Sequence, residues 1–142
     1  MFSFSFLFTP KLIFFAYLHA YFFFASAGAR IFSNSWSQMF TSSGNGYTLQ
    51  ARSIDVFMRS HPDSLIIFAA GNNGESGPHS VMSPGTNKNG LTVGASLNSR
   101  NSFKHFEGNS GDPLTVYRED NVAFFSSQGP VSDGRFVKII TA

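Results

Sequence analysis

The clearest candidate for chemistry in this sequence is a pair of amides that ends an apolar run. The run is "LIIFAAGNNG", in which Asn72 and Asn73 stand between Gly71 and Gly74. A side-chain amide held at the end of a rigid strand can stabilise a developing oxyanion, because the donor is already oriented when the charge appears. In isolation the four residues are more typical of a turn, since Asn and Gly both tolerate positive φ. The surrounding elements must decide between the two interpretations.

Other kinds of site find little support. The chain has no cysteine, which excludes thiolate catalysis and zinc sites built on Cys ligands. Its four histidines have no spacing that indicates a shared metal, and no loop has the density of acidic residues typical of calcium ligation. The formal net charge is only +2 and the basic residues are scattered, so we expect no nucleic-acid partner.

The elements around the amides predict an α/β fold. "RIFSNSW" is typical of a strand that runs into a polar turn, and "LIIFAA" and "LTVGAS" are short apolar runs typical of buried strands. Between the first two, Thr48 to Ser60 has apolar residues at helical spacing, with Thr48 as a cap and Pro62 just beyond the end. Strand, helix, strand, loop and strand in this order predict parallel pairing. Residues 71–90 and 97–120 are expected to be irregular.

The first 28 residues differ in composition from the rest. Nine of the eighteen phenylalanines lie in the first 24 residues, and residues 12–29 form an uncharged run of 18 residues. Such a run is just long enough to span a membrane, and "ASAGA" could serve as a signal-peptide cleavage site. We therefore predict a leader at residues 1–28, as signal peptide, anchor or gene-model artefact; a buried core helix is the disfavoured alternative. A genuine leader would make the protein secreted or membrane-associated through residues 12–29.

Four ordered segments, "RIFSNSW", "IIFAAGNNG", "SPGTNKNGLTVGAS" and "FFSSQGPVSDGRF", resemble the subtilisin-like serine peptidases, or subtilases. The resemblance covers Ala29 to Phe136. It implies part of a three-layer α/β domain with a mainly parallel sheet, at residues 29–142. It also implies peptide-bond hydrolysis through an acyl-enzyme, with peptide or protein substrates and no organic cofactor. Calcium is possible by the same resemblance, although no loop here supports it.

The resemblance also assigns roles to individual residues. Asn72 falls on the family's oxyanion-hole asparagine, which leaves Asn73 as a structural neighbour. The S1 pocket, which receives the side chain before the cleaved bond, would have two walls: Ala69, Ala70 and Gly71 on one side, and Ser35, Trp36 and Ser37 on the other. In the family the second segment also pairs with the substrate as an added strand.

Two departures from the family pattern concern this pocket. Ser37 stands where glycine is common, and its side chain could crowd the substrate backbone. Met82 stands near the expected pocket floor, where a small residue is usual. We therefore predict a shortened S1 pocket that disfavours large side chains.

The family's catalytic Asp and His motifs and its Gly-Thr-Ser motif do not occur in this sequence, and the match is lost at Val137. The resemblance thus predicts a fragment of a serine endopeptidase that is inert and poorly folded alone, with uncovered strand edges. An alternative is a non-catalytic, membrane-anchored module that uses the same strands to bind extended peptides.

Overall fold

The fold is built on a parallel β-sheet. A computed structural model describes residues 19–39, 44–97 and 122–136, together with the backbone of 139–141. The strands are β1 (Ile31–Asn34), β2 (Leu65–Ala69), β3 (Leu91–Gly94) and β4 (Ile139–Thr141), in the spatial order β1-β2-β3-β4. Every neighbouring pair is parallel. The first three strands and their parallel pairing confirm the prediction, whereas the three-residue β4 was not predicted.

One face of the sheet is covered by the predicted helix, α2 (Leu49–Ser60). Thr48 caps it, since the Thr48 hydroxyl accepts a hydrogen bond from the Ala51 N–H at 3.4 Å. Ile54 and Phe57 of α2 are buried against Ile66 and Phe68 of β2 in one apolar cluster. Helical spacing in α2 and alternation in β2 thus bring the two apolar faces together.

A second helical segment, residues 19–26, which we call α1, packs on the same cluster. Tyr21 and Ala25 are buried, four residues apart on one face, while Phe22, Phe23 and Phe24 remain exposed. The Tyr21 ring contacts the ring of Phe32 edge-on, with centroids 5.3 Å apart. This part of the predicted leader is therefore a core-packing helix, the alternative that the composition disfavours.

The rest of the leader, residues 1–18, lies outside the described residues, as does most of the irregular segment predicted at 97–120. In the described part of the chain, no helix is both long and apolar enough to cross a membrane. The boundary after residue 28 and the membrane association stay predictions.

Candidate active site

The ends of three parallel strands form a cavity of ≈390 Å³. In open α/β sheets, ligands bind beyond the carboxyl ends of the strands, which is where this cavity lies. Its lining comes from the last residues of β1, β2 and β3 and the residues that follow them: Ser33, Asn34, Ser35, Ile67, Ala69, Ala70, Gly71, Asn72, Val93, Gly94 and Ala95. Five of the eight predicted site residues are among them: Ser35, Ala69, Ala70, Gly71 and Asn72.

The chain leaves β2 through a tight turn at Gly71. Ala70 is buried, and its N–H donates to the Val93 carbonyl at 2.8 Å, which extends the pairing with β3 by one residue. Gly71 then adopts φ of +106°, a region that side chains disfavour. The turn brings Asn72 to the cavity with its side chain exposed.

The residues around Asn72 are held by a distant part of the chain, residues 125–128, which we call the FSSQ segment. The Gly74 N–H donates to the Phe125 carbonyl at 2.8 Å, and the Ser127 N–H donates to the Gly71 carbonyl at 3.0 Å. The Asn73 N–H donates to the Ser127 hydroxyl at 3.0 Å. The predicted strand end is thus a turn fixed by tertiary hydrogen bonds. Sequence reasoning gave the serines of this segment no role.

At the end of β1, the buried Asn34 connects the cavity to the core. Its Oδ1 accepts from the Tyr21 hydroxyl at 2.6 Å, and its Nδ2 donates to the Ile67 carbonyl at 3.1 Å. Asn34 therefore links α1, β1 and β2 at the cavity wall. The sequence analysis did not single it out.

The predicted second wall is only partly at this cavity. Ser35 lines it, but Trp36 packs edge-on against Phe68 of the core, with ring centroids 5.3 Å apart. The Ser37 hydroxyl donates to the Gln38 carbonyl at 3.0 Å. Neither Trp36 nor Ser37 lines the cavity, and their contacts with substrate stay predictions.

Comparison with known proteins decides the family. The profile described as "Subtilase family" matches residues 10–142, nearly the whole chain. The chain belongs to the subtilase family. It is similar to "Serine protease/ABC transporter B family protein tagD" of Dictyostelium discoideum, with 40% identity over 79 residues, which are 55% of this chain and 4% of that protein.

A solved structure supports the fold. It is described as "Structure of Prenylagaramide maturation protease PagA", and the match has a TM-score of 0.55 and 21% identity. The match covers 100% of this chain and 40% of that one. The chain thus spans less than half the length of each of these two proteins. The α/β class with a parallel sheet and the serine-peptidase family expected from the sequence are confirmed.

Behind the turn, the subtilase "SPGT" motif packs against the end of β2. A Cβ added at Gly85 would lie 3.1 Å from the Met82 carbonyl oxygen and 3.4 Å from that of Ala69, so only glycine fits without movement. Met82 is fully buried and does not line the cavity. Its predicted effect on S1 stays a prediction.

The loop that leads into β3 is held by a buried carboxylate, Asp55 of α2. It accepts hydrogen bonds from the backbone N–H groups of Lys88 at 2.9 Å and Asn89 at 2.7 Å, and from the Tyr47 hydroxyl at 2.7 Å. Burial, together with the hydrogen bond and the charge of Asp55, raises the pKa of Tyr47 to about 12. Sequence reasoning missed Asp55. The signal that could have identified it is a charged residue next to Ile54, on the face of α2 that packs inward.

No group of three or more His or acidic side chains within the described residues is placed to hold a metal ion.

Proposed function

We propose that this chain forms the oxyanion-binding and S1 part of a subtilase catalytic site that hydrolyses peptide bonds. The observation that carries the proposal is the position of Asn72. Its exposed side chain lines the cavity at the strand ends, and the peptide groups on both of its sides are hydrogen-bonded to one distant residue. A donor on such a fixed backbone is oriented before negative charge develops.

The chemistry assigned to this chain is electrostatic. During acyl transfer the substrate carbonyl oxygen becomes negatively charged, and the Asn72 amide donates a hydrogen bond to it. Attack and proton transfer need a serine, a histidine and an aspartate, and the family motifs for these do not occur in this sequence. The proposal therefore concerns transition-state stabilisation and substrate binding, and a serine-directed fluorophosphonate should not label the 142-residue chain.

Substrate would enter along β1. In the described sheet order β1 stands at one edge, and Ser35 directly after it lines the cavity. An edge strand offers unpaired backbone groups to an extended peptide, which supports the family's mode of strand addition. The side chain that precedes the cleaved bond would then reach Ala69, Ala70 and Gly71.

The test uses the complete gene product, by which we mean the longest natural polypeptide that contains these 142 residues. We expect it to cleave peptides, and we expect Asn72→Ala to lower kcat by about 10² to 10³ with KM little changed. That magnitude was measured for an oxyanion-hole asparagine of a subtilisin, in the same family, and is not worked out from this structure.

Asn73→Ala is the matched control. It deletes the same amide one residue further on, while the backbone N–H that donates to Ser127 remains. Its kcat should stay within a few fold of the unsubstituted protein. Absence of peptide cleavage, or an equal loss in both variants, would overturn the proposal.

A further inference from the structure

We propose that Ser127 is a positioning residue, which holds Asn72 in the orientation that an oxyanion donor needs. The inference rests on the function proposed for Asn72. It concerns a residue that lies 54 positions away from the turn in sequence.

The hydrogen bonds of Ser127 reach both peptide groups that flank Asn72. Its N–H donates to the Gly71 carbonyl at 3.0 Å, which belongs to the peptide group before Asn72. Its hydroxyl accepts from the Asn73 N–H at 3.0 Å, which belongs to the peptide group after Asn72. With both peptide groups tied to one residue, the φ and ψ angles of Asn72 have little freedom, and its side chain leaves the backbone in a fixed direction.

Packing reinforces these bonds. Ser127 is only 3% exposed, and a Cβ added at Gly71 would lie 2.9 Å from the Ser127 hydroxyl oxygen. The turn and the hydroxyl are therefore in close contact. Glycine suits position 71 on both counts, because it has no Cβ to clash with the hydroxyl and because it readily adopts the φ of +106°.

Ser127 is itself held on both sides within the FSSQ segment. The preceding Ser126 hydroxyl accepts from the Ala95 N–H at 3.0 Å, at the end of β3. The following Gln128 exchanges two hydrogen bonds with Ser80: its N–H donates to the Ser80 hydroxyl at 2.8 Å, and its carbonyl accepts from the Ser80 N–H at 3.0 Å. The position of Ser127 is thus set by the sheet and by a second loop, independently of the turn that it holds.

Oxyanion donors must be held to within about 0.5 Å and 10–20° of the productive geometry. Ser127→Ala removes the acceptor of the Asn73 N–H and leaves the other bond in place, so the peptide group after Asn72 can rotate. We expect kcat of the complete gene product to fall by about 10- to 100-fold, because displacements near 1 Å have effects of this size. KM should change little, since the Ser127 side chain does not line the cavity.

Three further variants separate positioning from general stability. Ser127→Thr keeps the hydroxyl and should restore most of kcat. Thr86→Val removes a buried hydroxyl that donates to the Gly46 carbonyl at 2.8 Å, away from the hydrogen bonds of the turn and of the FSSQ segment, and should leave kcat nearly unchanged. Ser127→Ala added to Asn72→Ala should lower kcat no further, because the serine acts through that asparagine. All variants are assayed at a temperature at which circular dichroism shows them folded.

Amide hydrogen exchange at Asn73, followed by NMR, gives a readout that does not depend on activity. Exchange should become faster in Ser127→Ala, return to the rate of the unsubstituted protein in Ser127→Thr and stay unchanged in Thr86→Val. Loss of kcat in Asn72→Ala without loss in Ser127→Ala would overturn this inference alone, as would equal losses in Ser127→Ala and Thr86→Val. An unchanged kcat in Asn72→Ala would instead overturn the proposed function.

Discussion

Tyr21 provides a sharp test of whether α1 belongs to the folded domain. Its side chain is 4% exposed, packs on Phe32 and Phe57, and donates to Asn34 Oδ1 at 2.6 Å. Tyr21→Phe keeps the ring and removes this donor from an amide oxygen whose residue is 9% exposed. Leaving a buried acceptor without its donor costs about 1–3 kcal/mol in free energy of unfolding. Tyr21→Ala also removes the ring, so the free energy of unfolding should fall by about 3–5 kcal/mol.

The assay is urea unfolding of the chain, in sucrose to raise the stability of the folded state. Phe23→Ala is the matched control, because Phe23 lies in the same helix but is 68% exposed. Phe23→Ala should change the free energy of unfolding by no more than about 0.5 kcal/mol. If Tyr21→Ala costs no more than Phe23→Ala, α1 does not pack on the core and the reasoning is refuted.

Three other predictions concern the surroundings of the cavity. Asp55→Ala leaves two backbone N–H groups and the Tyr47 hydroxyl without their acceptor, so the free energy of unfolding in urea should fall by about 3 kcal/mol or more; a loss below about 1 kcal/mol would contradict the role given to Asp55. The raised pKa of Tyr47, about 12, means that the folded state retains the proton longer than the unfolded state, so stability should fall as pH rises from about 10 to 12. In Tyr47→Phe, the melting temperature should fall less steeply over this pH range. A fall as steep as in the unsubstituted protein would show that other groups cause it. In the complete gene product, Met82→Ala should raise the preference for Phe over Ala before the cleaved bond, measured as the ratio of kcat/KM for two matched peptides, by about ten-fold or more. An unchanged ratio would show that Met82 does not limit the pocket.

The elements that the sequence predicted are those with a local apolar pattern. The spacing of Ile54 and Phe57 predicted α2, and the apolar run from Leu65 predicted β2, because each pattern matches one buried face. The position of Asn72 at the cavity could be predicted because a short motif carries this residue. In each case the informative residues are close together in sequence.

The features that the sequence did not predict depend on distant contacts. Ser127 matters through hydrogen bonds to a turn 54 residues away, and Asp55 through a loop 33 residues away. Tyr21 was hidden for a different reason. The neighbouring phenylalanines are as apolar as the buried face, so the composition of α1 showed no amphipathic pattern.

The most direct test of the central claim is a crystal structure of the complete gene product bound to a peptide boronate. Such a compound forms a tetrahedral, negatively charged adduct with a catalytic serine. The account predicts a boronate oxygen 2.7–3.1 Å from Asn72 Nδ2, the distance required of an oxyanion donor. A boronate oxygen held by other donors, with Asn72 Nδ2 beyond about 3.5 Å, would contradict it.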